Sequence, residues 1–278
     1  MQIIERTLPA DHDLILTSDW HGGSVMHEES GPQRVAQELY NNRNTFALHG
    51  GDAVEAIMVT DKRWNPDTDR KALPLQQYKE FKEWLAPFRY KMIGCMLGNH
   101  DWRLAATFGN RVEEICGELG IPYGTYTAKF HFVDKKNRPL YNLFYTHGAK
   151  SITSAADDPQ RQFDNMRLML KRRLKEKAGD CEVMGMGHTH RLMVLEPIKR
   201  LYLTDQGGKI RQAYTGSETG EWIHPDHRWY VNSGCFMRLY REGVSGYAEM
   251  FGYDPFELGY AVIKCRGGKI ENIERRVI

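Results

Sequence analysis

Cysteine is scarce and scattered in this chain. Its five residues (Cys95, Cys116, Cys181, Cys235, Cys265) are odd in number, far apart in 278 positions and never spaced C-x-x-C. That excludes a disulfide framework and a zinc–thiolate site, and leaves small buried hydrophobes in a reducing compartment. No apolar run approaches the roughly 18 residues needed to cross a bilayer, so no membrane partner is expected. The opening segment, Met-Gln-Ile-Ile-Glu-Arg-Thr, carries an acidic residue and no long apolar block. It is expected not to be a secretory signal, and the location is expected to be cytoplasmic. An excess of either charge is also missing: 38 Lys and Arg against 36 Asp and Glu leave +2, no global reason for a nucleic-acid partner. No period of roughly 20–50 residues repeats and no long Gly, Ser or Pro linker intervenes, so residues 1–278 are expected to form a single domain. With 41% hydrophobic and 27% charged residues, the chain is neither disordered nor fibrous. Its eleven histidines are less ordinary.

The first half alternates short apolar runs with helical stretches. Leu14–Thr17, Thr45–Leu48 and Lys91–Leu97 read as strands, each ending in a Gly-bearing loop, with helices over Gln33–Tyr40, Leu75–Leu85 and Val112–Leu119. Such βαβ units place function at the carboxyl ends of the strands. The second half is richer in extended segments. Thr127–Val133 and Leu140–Thr146 read as a hairpin, and Val183–Gly187, Met193–Leu203, Trp229–Asn232, Tyr260–Cys265 and Ile270–Arg275 as further strands around one helix, Arg161–Lys177. The expected fold class is α/β, a four-layer sandwich of two mixed sheets flanked by helices.

Five of the histidines stand at the ends of strand-like runs, in the clusters Ser18-Asp19-Trp20-His21-Gly22, Gly98-Asn99-His100-Asp101, Thr146-His147-Gly148 and Gly187-His188-Thr189-His190, with Gly51-Asp52 at a fifth strand end. Residues two apart in an extended or turning segment can point the same way, which lets one segment hold a cation with two ligands. The donors Asp19, His21, Asp52, Asn99, His147, His188 and His190 are imidazole nitrogens with carboxylate and amide oxygens. They are too many for one tetrahedral zinc and enough for two ions if one carboxylate bridges. Such borderline ligands favour Mn, Fe, Co, Ni or Zn over Ca or Mg, and an ion pair suits a phosphate.

These blocks, in this order, resemble the calcineurin-like metallophosphoesterases: Asp-x-His, Gly-Asp, Gly-Asn-His-Asp/Glu, His, then Gly-His-x-His. The likeness spans about residues 13–191, and Val231-Asn232-Ser233-Gly234 is similar to a further strand-end segment. The resemblance implies that Asp19, His21 and His190 hold one metal, Asn99, His147 and His188 a second, and that Asp52 bridges them. Manganese is the expected metal. The resemblance also implies a metal-bridging hydroxide as nucleophile, His100 beside the metals protonating the leaving group, and Asp101 orienting the His100 ring. One position departs: where many relatives carry Asp or Asn three residues beyond the Gly-Asp block, this chain has Glu55. Arginines expected of the protein-phosphatase branch are replaced by Ala53-Val54-Glu55-Ala56 and Met96-Leu97, which disfavours a phosphoprotein substrate.

The function expected is therefore hydrolysis of phosphate esters, a phosphodiester first, with nucleic acid as the leading specific substrate. A phosphomonoesterase, a small-nucleotide phosphodiesterase and a non-catalytic module binding phosphate or nucleic acid are the alternatives. Arg161–Lys177 carries seven basic residues against Asp164 and Glu176, a local +5 inside a chain of +2. It reads as a solvated helix face or as a grip on a nucleic-acid backbone. His12, His27, His49 and His131 read as structural. His224 and His227 read as a structural loop or one reaching over the site, and Trp20 and Trp102 as walls or as platforms for a base.

Overall fold

Every residue of His12–Thr17 is buried, and Leu14, Ile15 and Leu16 expose nothing. A strand apolar on both faces has to be covered on both. The computed structural model, which describes residues 1–61, 64–65, 73–215 and 221–278, shows what covers it. In chain order the strands are β1 (Gln2–Thr7), β2 (His12–Thr17), β3 (Thr45–His49), β4 (Met92–Cys95), β5 (Thr127–Val133), β6 (Pro139–Thr146), β7 (Val183–Met186), β8 (Leu192–Leu195), β9 (Leu201–Gln206), β10 (Lys209–Tyr214), β11 (Trp229–Ser233), β12 (Gly259–Arg266) and β13 (Lys269–Val277). The helices are α1 (Ser30–Asn41), α2 (Pro74–Leu85), α3 (Asn99–Phe108), α4 (Arg111–Leu119), α5 (Pro159–Leu174) and α6 (Tyr247–Met250).

One sheet has the order β13-β12-β2-β3-β4 and a second the order β1-β5-β6-β7-β11-β8. Both are mixed: β2, β3 and β4 run parallel while β12 is antiparallel to β2, and β6, β7 and β11 run parallel while β5 and β8 are antiparallel to their neighbours β6 and β11. The alternation along β2 assigns its side chains. Ile15 faces Val35 and Leu39 of α1, Phe81 and Leu85 of α2 and Ile115 of α4. Leu14 and Leu16 face the second sheet, in one core with Phe130, Leu143 and Val231. On the far side of that sheet, Leu170 and Leu174 of α5 pack with Met184 and Tyr230. Helices, sheet, sheet and helix thus stack in four layers, the expected fold class. Each fully buried aliphatic side chain contributes roughly 1.5–3 kcal/mol to it.

Three features differ from the sequence reading. The expected strand Met193–Leu203 is two, β8 and β9, because Pro197 follows β8 and cannot donate to a ladder. β9 then pairs only with β10, in a hairpin of its own. Mostly exposed, β1 adds an edge strand parallel to β5. α3 starts inside the Gly-Asn-His-Asp block, where a loop was expected; Asp101 Oδ2 accepts from Gly98 N at 2.9 Å and satisfies the donor at the helix's start.

The basic segment is amphipathic, and several of its charges are committed. Lys171 pairs with Asp226. Arg173 donates to the carbonyls of Ala149 (3.1 Å), Lys150 (2.7 Å) and Ser151. It thereby ties α5 to the loop after His147, while Met166, Leu170 and Leu174 are its buried stripe. All five cysteines are buried free thiols. No described helix is long and apolar enough to cross a membrane.

Candidate metal centre

The carboxyl ends of β2, β3, β4, β6 and β7 share one rim, and each delivers one block of the pattern. Asp19 and His21 follow β2, Asp52 follows β3, Asn99 opens α3 beyond β4, His147 follows β6, His188 follows β7, and His190 precedes β8. Extended backbone cannot turn this many side chains inward, and the chain resolves the conflict by strain. Asp19, His21, Asp52, His188 and His190 all have φ between 52° and 66°, and they are half of the ten non-glycine residues with positive φ among those described. Each such residue costs on the order of 1 kcal/mol, and strain of this kind concentrates at functional sites.

The motif glycines follow from the same crowding. A Cβ on Gly98 would stand 2.0 Å from Asp52 Oδ1. Gly51, at φ +101°, has no room either, since its Cβ would lie 2.8 Å from His147 Nδ1.

Two groups of donors emerge. In the first, His21 Nε2 lies 3.2 Å from His190 Nε2, and His190 Nε2 lies 3.5 Å from Asp19 Oδ1. Asp19 is fully buried; its Oδ2 accepts from Ser18 Oγ and from His188 N at 2.9 Å, while Oδ1 has no hydrogen-bond partner among the described residues. In the second, His147 Nε2 lies 3.2 Å from Asp52 Oδ2 and 3.0 Å from Asn99 Oδ1, and His188 Nδ1 lies 2.6 Å from the same amide oxygen. Asp52 Oδ1 accepts from His100 N at 2.8 Å. Donor atoms bound to one ion at about 2.1 Å are no more than about 4.2 Å apart, and all of these donor–donor separations fall inside that limit.

The ring orientations are set from behind. His21 Nδ1 is 2.8 Å from Glu55 Oε2, and His147 Nδ1 is 2.9 Å from the Gly50 carbonyl. Both acceptors require the proton at Nδ1, which turns the Nε2 lone pairs toward the cluster. Burial disfavours charge throughout, yet attraction to His21 holds the Glu55 carboxyl down at about 2. Against the same burial, Glu55 holds His21 up at about 9 and Asp52 does the same for His147. Burial and the charge of His147 push His188 down to about 4. Buried carboxylates that draw positive charge onto neighbouring rings, an Asp19 oxygen without a partner among the described residues and Nε2 atoms turned inward fit divalent cations, which would take the place of the Nε2 protons.

A third group, His21, Glu55 and His100, also has donor atoms within 4.8 Å of one another. Its atoms are already hydrogen-bonded: Glu55 holds His21, and His100 Nδ1 lies 2.5 Å from the Glu55 carbonyl. Asp101 does not orient His100 as expected. Its Oδ2 accepts from Gly98 N and from Asp52 N (3.1 Å), and its Oδ1 from Tyr78 OH at 2.7 Å, so it fixes the backbone carrying the ligands.

A cavity of about 590 Å³ opens over the cluster and is lined by His21, Asp52, Asn99, His100, His188 and His190. The remaining histidines have other surroundings. His12 bonds Pro9 O and Tyr141, His131 bonds Asn142, and His27 bonds the Trp20 carbonyl. His49 is buried edge-on to Trp20 and Phe81, and burial pushes it down to about 3. His224 and His227 belong to a short turn around Asp226 and are not among the described residues lining the cavity. Trp20 is packed among Trp84, Phe81 and Phe236, so it cannot serve as a base platform, and Trp102 lies exposed on α3.

Glu55 is the functional neighbour that the sequence marked only as a departure. A second set is a buried hydroxyl chain, whose Ser18 and Ser233 stand inside motif blocks of the sequence and whose Tyr145 carries no sequence signal. Tyr145 OH lies 2.5 Å from Ser233 Oγ, Ser233 Oγ lies 2.7 Å from Ser18 Oγ, and Ser18 bonds Asp19.

Fold and site together define a two-sheet α/β protein with a carboxylate–imidazole centre on one rim. No family model and no curated protein matches the sequence. Similar solved structures include vacuolar protein sorting 29 from Cryptosporidium parvum, at 13% identity over 96% of this chain and 99% of that one, with a TM-score of 0.38. The calcineurin-like phosphoesterase YfkN from Bacillus subtilis is similar at 12% identity over 66% and 73%, TM-score 0.34. The nuclease MPE from Pseudomonas putida is similar at 11% identity over 95% and 87%, TM-score 0.34. Likenesses of this size carry no weight for function, which rests on the residues themselves.

Proposed function

We propose that residues 1–278 form a single-domain metal-dependent hydrolase of phosphate esters, a phosphodiesterase. Asp19, His21 and His190 would hold one cation, Asn99, His147 and His188 a second, and Asp52 both. The observation that carries this reading is the strained convergence of donor atoms: five ligand residues at positive φ, with lone pairs facing one another and the opposite ring nitrogens of His21 and His147 engaged. Divalent cations, manganese foremost, would supply Lewis acidity toward a phosphoryl oxygen and a water acidified to near neutral pH.

The chain's own groups do the rest. Glu55 and the Gly50 carbonyl hold the imidazoles in one tautomer. His100 Nδ1 lies against the Glu55 carbonyl and the ring lines the cavity, and in this reading it gives a proton to the leaving oxygen of the substrate. A group that protonates the leaving oxygen serves esters with poor alkoxide leaving groups, and among these a diester, nucleic acid, is the substrate we put first.

Protein stripped with chelator and reloaded with Mn²⁺ should turn over bis-p-nitrophenyl phosphate and lose that activity in Asp52→Asn. Single- and double-stranded DNA are the polymer arms of the assay. Turnover of p-nitrophenyl phosphate alone would refute the diesterase reading. Metal-loaded protein inert on every ester would leave a binding module in its place.

A further inference from the structure

Three arginines, Arg103, Arg191 and Arg238, reach the wall of the cavity above the donor cluster. Two have carboxylates nearby: Arg238 pairs with Glu28, and Arg103 is 3.9 Å from Asp61. Arg191 is different. It is half-buried, no carboxylate lies within ion-pair distance of it among the described residues, and its guanidinium carbon stands 5.5 Å from the centre of the Phe256 ring. The same ring stands edge-on to His190, 5.9 Å between centres.

A guanidinium drawn partly out of water without a counter-charge is unfavourable. An aromatic face offsets roughly 0.5–2 kcal/mol of that cost and fixes the plane of the fork, but leaves the charge unanswered. The fork matches a phosphate bidentately, and it belongs to the residue next to His190. An anion held there would lie beside a phosphoryl group at the donor cluster, in the same cavity. Phe256, Met26 and Leu239 add an apolar wall on which a ring can rest.

We propose that Arg191, seated on Phe256, is a second phosphate-binding position, and that the substrate carries a further phosphate beside a scissile, disubstituted phosphoryl group. This rests on the phosphodiesterase reading above. Two sources share that chemistry, an oligonucleotide and a nucleoside polyphosphate.

The test compares wild type, Arg191→Gln and Arg191→Lys on bis-p-nitrophenyl phosphate, on thymidylyl-thymidine with and without terminal phosphates, and on ATP. Wild type should prefer the phosphate-bearing substrates. Arg191→Gln should abolish that preference through KM, by about 10- to 100-fold relative to bis-p-nitrophenyl phosphate, as the loss of a charged hydrogen bond implies. Arg191→Lys should restore part of it. Calorimetric binding of the terminally phosphorylated dinucleotide to chelator-stripped protein should weaken in parallel. A preference confined to the dinucleotide assigns the position to a strand, and one confined to ATP to a polyphosphate. An equal fall on every ester, or a preference that survives Arg191→Gln, overturns the proposal. Wild type inert on all esters sinks the phosphodiesterase reading, while binding by the stripped protein still decides the role of Arg191.

Discussion

Glu55 Oε2 stands 2.8 Å from His21 Nδ1, and both side chains are buried. A carboxylate behind an imidazole fixes its tautomer and raises its basicity toward a cation on the other side. Glu55→Gln keeps the shape and an acceptor but removes the charge. Affinity for Mn²⁺, read by chelator competition, should fall about 10- to 100-fold. An unchanged affinity would mean that Glu55 only fills space.

The two sheets are joined behind the site through Tyr145. A Cβ on Gly50 would lie 2.3 Å from the Tyr145 hydroxyl, which is itself 2.5 Å from Ser233 Oγ in the chain leading to Asp19. Tyr145→Phe leaves buried hydroxyls short of a partner and should cost about 1–3 kcal/mol in urea unfolding. Gly50→Ala overpacks the same spot and should cost about 1–3 kcal/mol as well, with a loss of bound metal that Tyr145→Phe does not match. If Gly50→Ala melts like wild type, Tyr145 has room to move and the sheet-locking account fails.

The convergence of these side chains was legible because each block ends an apolar run, and the packing pattern alone places those ends on one rim. The helices were legible from stripes such as Met166, Leu170 and Leu174. Glu55, Asp101 and Tyr145 were not, since their partners are 34, 49 and 88 residues away and no spacing encodes such contacts. β1 was missed because an exposed edge strand lacks the alternation of a half-buried one. The role proposed for Arg191 depends on the absence of a nearby carboxylate among the described residues, which only the fold decides.

Asp13 in β2 is answered by Lys264 at 2.6 Å and Arg266 at 2.9 Å, both from β12. Burial pushes its carboxyl up, but these two partners outweigh burial and hold it below the usual carboxylate range. The folded form therefore binds this proton more weakly than the unfolded chain, whose value is about 3.9. The stabilisation is complete above about pH 4 and drains away as the pH falls through the folded value. Asp13→Asn should be less stable than wild type at neutral pH, with the gap narrowing at pH 3 in denaturant unfolding. A gap of constant size would show that the ion pairs add nothing.

His100 discriminates between two chemistries that share its position. If it were a ligand, with His21 and Glu55, then His100→Ala would lower the metal content of purified protein. Its Nδ1 is instead 2.5 Å from the Glu55 carbonyl and its backbone N 2.8 Å from Asp52 Oδ1, and the ring lines the cavity where substrate would sit. His100→Ala should then keep full metal occupancy while kcat on thymidylyl-thymidine, whose leaving group is a poor alkoxide, falls about 10²- to 10⁴-fold, the usual worth of a general acid. The deficit should shrink on a diester whose leaving group is acidic enough to depart unprotonated, because that substrate no longer needs the proton. Loss of metal, or an equal deficit on good and poor leaving groups, would move His100 from proton carrier to ligand or scaffold.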